Sequence, residues 1–393
     1  MASLVAVFCV ALAFGQAWAV NDPEEHLDTI GIIQHWGYPA ERHQVTTDDG
    51  YILELHRVPY GKGSSPGGNR PVVFLQHGLE CSSSNWVTNL PSESAAYIFA
   101  DAGFDVWMGN FRGNTYSQKH VSLSPSSHDF WKFSWDEMAK HDLPAMINYV
   151  LAQTGQSQLH YMGHSMGTMT AFAQFSADPV LRAKIKNFFG LGPVATIGHC
   201  QGFITHIAKF LPQLEYLIHL IGEDQFLPSN WFIKLVADVI CAAIPDKNHL
   251  CDNVLFLIAG PESNQFNDTR VAVYVSHTPA DTSTQNMIHF GQMVLSNKYQ
   301  QYDYGSTSKN LEHYGTKTPP EYSVKDFHIP TYLYWGDEDW LADPTDVAQT
   351  LLPNLPNIVQ SNEMKGWNHL DFIWGLNAAD QIYHPVVEIM KAS

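Results

Sequence analysis

Short continuous apolar runs and longer amphipathic stretches alternate along this chain. Pro71-Val72-Val73-Phe74-Leu75-Gln76 and Phe104-Asp105-Val106-Trp107-Met108 are apolar at nearly every position. Such runs predict strands buried on both faces, because successive side chains of a strand point opposite ways and both sides must then be covered. Gln158-Leu159-His160-Tyr161-Met162, Asn187-Phe188-Phe189-Gly190-Leu191-Gly192-Pro193, Pro330-Thr331-Tyr332-Leu333-Tyr334-Trp335 and Asn357-Ile358-Val359-Gln360 read as further strands. Tyr51 to Val58 alternates apolar and polar after the turn signal Asp48-Asp49-Gly50, as a strand does. Between these runs the spacing predicts helices over 29–40, 92–102 and 136–154, and another starting at Thr168. Strands alternating with helices predict an α/β protein with a mostly parallel sheet covered on both faces.

The pattern changes near Ala195. Residues 203–258 are rich in Leu, Ile and Phe at helical spacing, broken by Pro212, Pro228 and Pro245. His206 to Leu211 and Trp231 to Ile240 are strongly apolar. These stretches suit core helices packed on one another, and also a helical cap with an apolar underside. Residues 296–322 turn polar and read as a surface return segment. The expected organisation is a core built from 20–194 and 322–393, with a helical cap or lid inserted at 195–321. At the start, the apolar run Leu4 to Phe14 and the small-x-small pattern Ala17-Trp18-Ala19 read as a signal peptide, residues 1–19. That run is short for a membrane span, and no later uninterrupted apolar run is long enough for one.

The chemistry concentrates at Gly163-His164-Ser165-Met166-Gly167. A strand before this motif and a helix after it are the context of a nucleophile elbow, in which a sharp turn exposes the central hydroxyl. Gly163 and Gly167 remove side chains that would collide in so tight a turn. Ser165 is therefore the candidate nucleophile. A neutral hydroxyl needs a base, and the base needs an orienter. On a sheet of this kind the chain order is Ser, then Asp or Glu, then His. After the strand ending at Trp335 come Asp337, Glu338, Asp339 and Asp343. Asp339 is the preferred orienter, with the other three as rivals. His369 follows the last predicted strand at a loop tip, whereas His384 lies in or after the last helix and reads as structural. The oxyanion of an acyl-transfer intermediate must meet backbone N–H groups. Met166, just after the nucleophile, and Leu79, in the loop after the Val72–Gln76 strand, are the candidates.

Charge and cysteine content narrow the setting. A formal net charge of −18 argues against nucleic acid as a partner. An ordinary His begins to protonate below neutrality, so with 20 of them the negative charge is expected to fall in acid, and repulsion from anionic lipid surfaces with it, unless His is simply frequent here. Of five Cys, Cys9 falls in the expected signal peptide; the other four are too few for a disulfide scaffold, but Cys241 and Cys251 are spaced for a local bridge in a secreted chain. Cys81 and Cys200 are then free and buried. No metal-ligand spacing stands out and no cofactor is expected. Asn267-Asp268-Thr269 is a sequon for an exposed glycan.

Taken in order, His77-Gly78-Leu79, Gly109-Asn110-Phe111-Arg112-Gly113-Asn114, the Ser165 elbow, Leu341-Ala342-Asp343-Pro344 and Asn368-His369-Leu370-Asp371-Phe372 resemble the animal acid lipase family, which includes gastric and lysosomal acid lipases. The resemblance covers nearly the whole chain after residue 19. It implies an α/β-hydrolase core with a helical cap and hydrolysis of neutral lipid esters, triacylglycerols or steryl esters, at acidic pH. It also implies a Ser165, Asp339 and His369 triad, oxyanion donors at Leu79 and Met166, a cap disulfide between Cys241 and Cys251, and a secreted or lysosomal location. The partner implied is a lipid ester at an emulsion or membrane surface. Two departures stand out: Met166 where many members carry Gln, and Cys81 where small or apolar residues are usual. A phospholipase or carboxylesterase with the same triad is an alternative, as is a non-catalytic lipid-binding, yolk-type protein on this fold.

Overall fold

A computed structural model describes residues 22–202, 205, 208, 225–226 and 258–393. The expected signal peptide, the apolar stretches at 206–211 and 231–240, and the Cys241–Cys251 pair lie outside the described residues, apart from Ala208. The strands are β1 (Glu41–Thr46), β2 (Tyr51–Val58), β3 (Val72–Gln76), β4 (Asp105–Met108), β5 (Lys119–His120), β6 (Leu159–His164), β7 (Ile185–Leu191), β8 (Gln225–Phe226), β9 (Thr282–Ser283), β10 (Thr331–Gly336) and β11 (Ile358–Met364).

Among the described residues the main sheet runs β1-β2-β4-β3-β6-β7-β10-β11, with β5 beside β2. The pairings from β4 through β11 are parallel, and β1, β2 and β5 add an antiparallel edge. The central strands are apolar on both faces because both faces are covered. Val72 and Phe74 of β3, Trp107 of β4 and Tyr161 of β6 join one core. Val73 and Leu75, Val106 and Met108, and Met162 enter the other. Each large apolar side chain hidden this way contributes roughly 1.5–3 kcal/mol. Helix Met166–Ala177 covers the first face through Met169, Phe172 and Phe175. Helix Ala95–Asp101 and the segment from Ala378 to Met390 cover the second.

Several elements differ from the pattern reading. The first helix stops at His35 rather than near Pro39, because Gly37 turns the chain at φ 79°. The helix expected over 136–154 is composite: a short α-turn from Trp135, a π-helical stretch Met138–Asp142, then α-helix Leu143–Thr154. Arg112 takes Asp142 as a buried partner at that stretch, with its Nη2 2.7 Å from Asp142 Oδ1. The segment 296–322 is not merely a polar surface return. It contains helix Thr307–Tyr314 and buries Tyr299 and Tyr302, together with the polar Gln300 and Asn310. Among the described residues no helix is long and apolar enough to cross a membrane.

Candidate active site

The site forms where the parallel strands end. Strand β6 runs through His164, and Ser165 then turns into the helix at φ 53° and ψ −119°. A non-glycine residue with positive φ is strained by about 1–3 kcal/mol, and the surroundings must hold it there. They do so through backbone bonds. Ser165 N donates to Leu191 O at 3.0 Å, and its own carbonyl accepts from Thr168 N at 2.8 Å. The flanking glycines leave no space for side chains. A Cβ on Gly163 would lie 2.7 Å from the Gly167 oxygen, and one on Gly167 would lie 2.5 Å from the Gln76 oxygen. Ser165 is 8% exposed, at the floor of the site.

Of the four acidic residues after β10, Asp339 is the one that meets His369, with Oδ2 2.8 Å from Nδ1. Its other oxygen accepts from Leu341 N at 2.9 Å and Ala342 N at 2.8 Å. Asp337 accepts instead from Gly366 N, and Asp343 from Thr345 N and Gln201. His384 opens the last helix, His384–Ala392, away from this cluster. Gly192, just after β7, lies against this pair, since a Cβ there would lie 3.1 Å from His369 Nδ1 and 3.3 Å from Asp339 Oδ2. His369 N donates to Ala259 O at 3.1 Å. Asp371 steadies the same loop by accepting from Asn368 N at 2.7 Å. Burial, with a smaller contribution from the charge of Asp339, pushes the Asp371 carboxyl up to about 7.

The loop after β3 lies against the elbow, where a Cβ on Gly78 would sit 3.0 Å from Ser165 Cβ. Leu79 follows, half-buried against the core. Met166 starts its helix, so its N–H has no intrahelical carbonyl to serve. The Met166 side chain is buried, and Asn286 Nδ2 approaches its sulfur at 3.7 Å, so the thioether is seated within the core. His77 braces the loop. Its Nδ1 donates to Gly78 O at 2.8 Å, which leaves Nε2 to accept from Phe111 N at 3.1 Å and Asn114 Nδ2 at 3.2 Å. Burial lowers His77 to about 4, so it stays a neutral brace in mild acid. In the sequence Gly109 to Asn114 counts only toward the family resemblance; its bracing of His77 is visible in the fold, and the polar residues inside the motif are the available signal. Nor does the sequence mark His164, whose Nε2 lies 3.0 Å from the His369 oxygen.

The remaining candidates lie elsewhere. Cys81 and Cys200 are buried free thiols. Asn267 caps a short 3-10 turn and accepts from Thr269 Oγ1 at 2.7 Å. Asp48, Asp49 and His141 gather at the surface, but Asp49 already pairs with Arg112 and Asp48 with His141. Their charges are thus answered within the protein.

Residues 29–90 match the family model of a partial α/β-hydrolase lipase region, and 71–207 match that of the α/β hydrolase fold. The chain is 46% identical to human gastric triacylglycerol lipase, with 100% of this chain and 98% of that one covered. It is 48% identical to human lysosomal acid lipase/cholesteryl ester hydrolase, over 94% of this chain and 92% of the relative. The chain belongs to the acid lipase family. As a lipase it is a carboxylic ester hydrolase on an α/β-hydrolase core. It is also 54% identical to lipase lipl-1 of Caenorhabditis elegans, over 94% of this chain and 93% of that one. Among solved structures, epoxide hydrolase VrEH1 from Vigna radiata aligns with the lipase at a TM-score of 0.50 and 14% identity. That alignment covers 90% of the lipase and 99% of the epoxide hydrolase, a likeness of fold alone.

Proposed function

We propose that Ser165, His369 and Asp339 form the catalytic triad of an acid-active lipase acting on triacylglycerols or steryl esters. His369 Nε2 takes the proton from Ser165 Oγ as the oxygen attacks the ester carbonyl. Asp339 fixes the imidazole with its proton on Nδ1 and stabilises the imidazolium that forms. The Leu79 and Met166 N–H groups hold the tetrahedral oxyanion, each worth about 3 kcal/mol in the transition state. His369 then protonates the leaving alcohol. In the second half it draws a proton from water, which attacks the acyl-enzyme and releases the fatty acid. The observation that carries this reading is the 2.8 Å Asp339–His369 contact set beside the strained Ser165 turn.

The segment 195–321 acts in this reading as a cap whose apolar underside covers the acyl chain and meets the lipid surface. Cys241 and Cys251 form a disulfide within it, and Asn267 carries a glycan. The protein enters the secretory route by a signal peptide, residues 1–19, and works outside the cell or in the lysosome.

The test is fatty acid release from emulsified long-chain triacylglycerol and from steryl ester between pH 4 and 8, with Ser165→Ala as blank. Serine-dependent release, strongest below neutrality, is expected. Turnover by Ser165→Ala would overturn the triad. Release only from phospholipid or short soluble esters would overturn the substrate class.

A further inference from the structure

We propose that His164 is a positioning residue that clamps the loop carrying His369 to the strand carrying Ser165. The inference rests on the triad reading above and deepens it. His164 is the last residue of β6, directly before the nucleophile. Its side chain is buried, and Nε2 lies 3.0 Å from the backbone oxygen of His369. A carbonyl oxygen only accepts, so Nε2 carries the proton and Nδ1 keeps its lone pair. Among the described residues no donor reaches Nδ1, and a Cβ on Gly78 would lie 3.2 Å from it. The two imidazoles lie 4.7 Å apart at 39°. One ring thus touches the elbow, the His369 loop and the oxyanion loop.

The clamp needs a proton only on Nε2; a second one on Nδ1 would be buried without an acceptor. Burial pushes His164 well below the usual histidine range, the charge of a protonated His369 pushes it the same way, and the bond to the His369 carbonyl opposes them only in part. His164 therefore remains uncharged in mild acid and adds no cation opposing the imidazolium at His369. An apolar side chain could fill the same volume, but it would leave the His369 carbonyl without this donor. Catalytic geometry tolerates little such slack, since a displacement of about 1 Å costs roughly 100-fold in rate.

The test compares His164→Leu, which removes the donor, with His164→Gln, whose side-chain amide can donate from about the same reach. Both are assayed with the native lipase on a soluble short-chain ester, with Ser165→Ala as blank and a thermal melt for each. His164→Leu is expected to lose roughly 10- to 100-fold in kcat with KM within about twofold, the mark of lost alignment rather than lost binding. His164→Gln should recover kcat to within about threefold of native. The far-downfield resonance of the His369 Nδ1 proton should shift in the Leu variant and return in the Gln variant. Native kcat in His164→Leu would overturn the proposal, as would a folded His164→Gln no better than Leu. If the Leu variant does not fold, His164→Asn replaces it, because its amide stops short of the carbonyl. Asn well below Gln then supports the clamp, and equal rates overturn it. Failure of the triad reading shows separately, as turnover by Ser165→Ala.

Discussion

Asp339 and His369 lie 30 positions apart in the chain, yet Asp339 Oδ2 stands 2.8 Å from His369 Nδ1. The other carboxylate oxygen is fixed by the N–H groups of Leu341 and Ala342. This second set of bonds dictates what Asp339→Asn would do. The Asn oxygen would stay with those two donors, so its NH₂ would face His369. Nδ1 would then have to accept, the ring proton would move to Nε2, and the base would be lost. The expected result is a kcat fall of roughly 10⁴-fold with folding retained. Steady-state kinetics beside a melt checks it, and a loss under about tenfold would argue against Asp339 as orienter.

Gly192 should be intolerant of a side chain. It sits at φ 52°, and a Cβ there would press on both His369 and Asp339. Gly192→Ala is expected to lower kcat by about 10- to 100-fold through a displaced imidazole. Reaction of Ser165 with a fluorophosphonate probe should slow in proportion. An unchanged labelling rate would show that the pair is not constrained from this side.

Glu80 gives a pH prediction. It follows Leu79 at φ 52°, and although the residue is partly exposed, its Oε1 is sealed from solvent without a hydrogen-bond partner among the described residues. Burial first, then the charge of Asp281, raises its carboxyl from 4.5 to about 8. The folded chain therefore holds more protons than the unfolded one between those values, and the stability this represents is lost as pH rises through that window. Glu80→Gln cannot ionise and removes the loss. Its Tm should exceed native by roughly 2 °C or more at pH 8 and match it at pH 4. Equal differences at both pH values would sink the idea.

Arg270 ties the first described residues to the 3-10 turn Asp268–Arg270. Its guanidinium makes two bonds to the buried Glu24 carboxylate, at 2.8 and 2.7 Å, and others to Asp22 and Thr88 O. Arg270→Ala would strand the Glu24 charge, at a cost of about 3–5 kcal/mol. Denaturant unfolding should show it as a lower midpoint, and Glu24→Gln added to Arg270→Ala should recover part of the loss. A single-variant loss below about 1 kcal/mol would mean that water reaches Glu24.

How much of this site was legible depended on where the constraint resided. The elbow was readable because a tight turn needs glycine locally, and Gly163 and Gly167 are present in the sequence. Choosing Asp339 over Asp337, Glu338 and Asp343 rested on chain order and strand position. The distance to His369, and the two N–H groups holding the other oxygen, belong to the folded loop. His77, Asn114 and Arg112 carried a weaker signal, since polar residues in a turn also suit solvent. Their burial as a bracing network depends on the sheet bringing β3, β4 and the π-helical stretch together.

Residue periodicity and covalent geometry are local properties, and the chain carries them in its order of residues. Continuous apolar runs require a sheet covered twice, and their alternation with helices requires parallel crossovers. Glycines beside Ser165 permit the strained turn. Every relation between remote segments was settled by folding instead. Folding set which carboxylate faces His369, which histidine stays neutral against the His369 carbonyl, and where Tyr299 and Tyr302 bury within an otherwise polar stretch. The physical reason is that hydrogen bonds and desolvation act over a few ångströms in space, and separation along the chain does not fix that spacing.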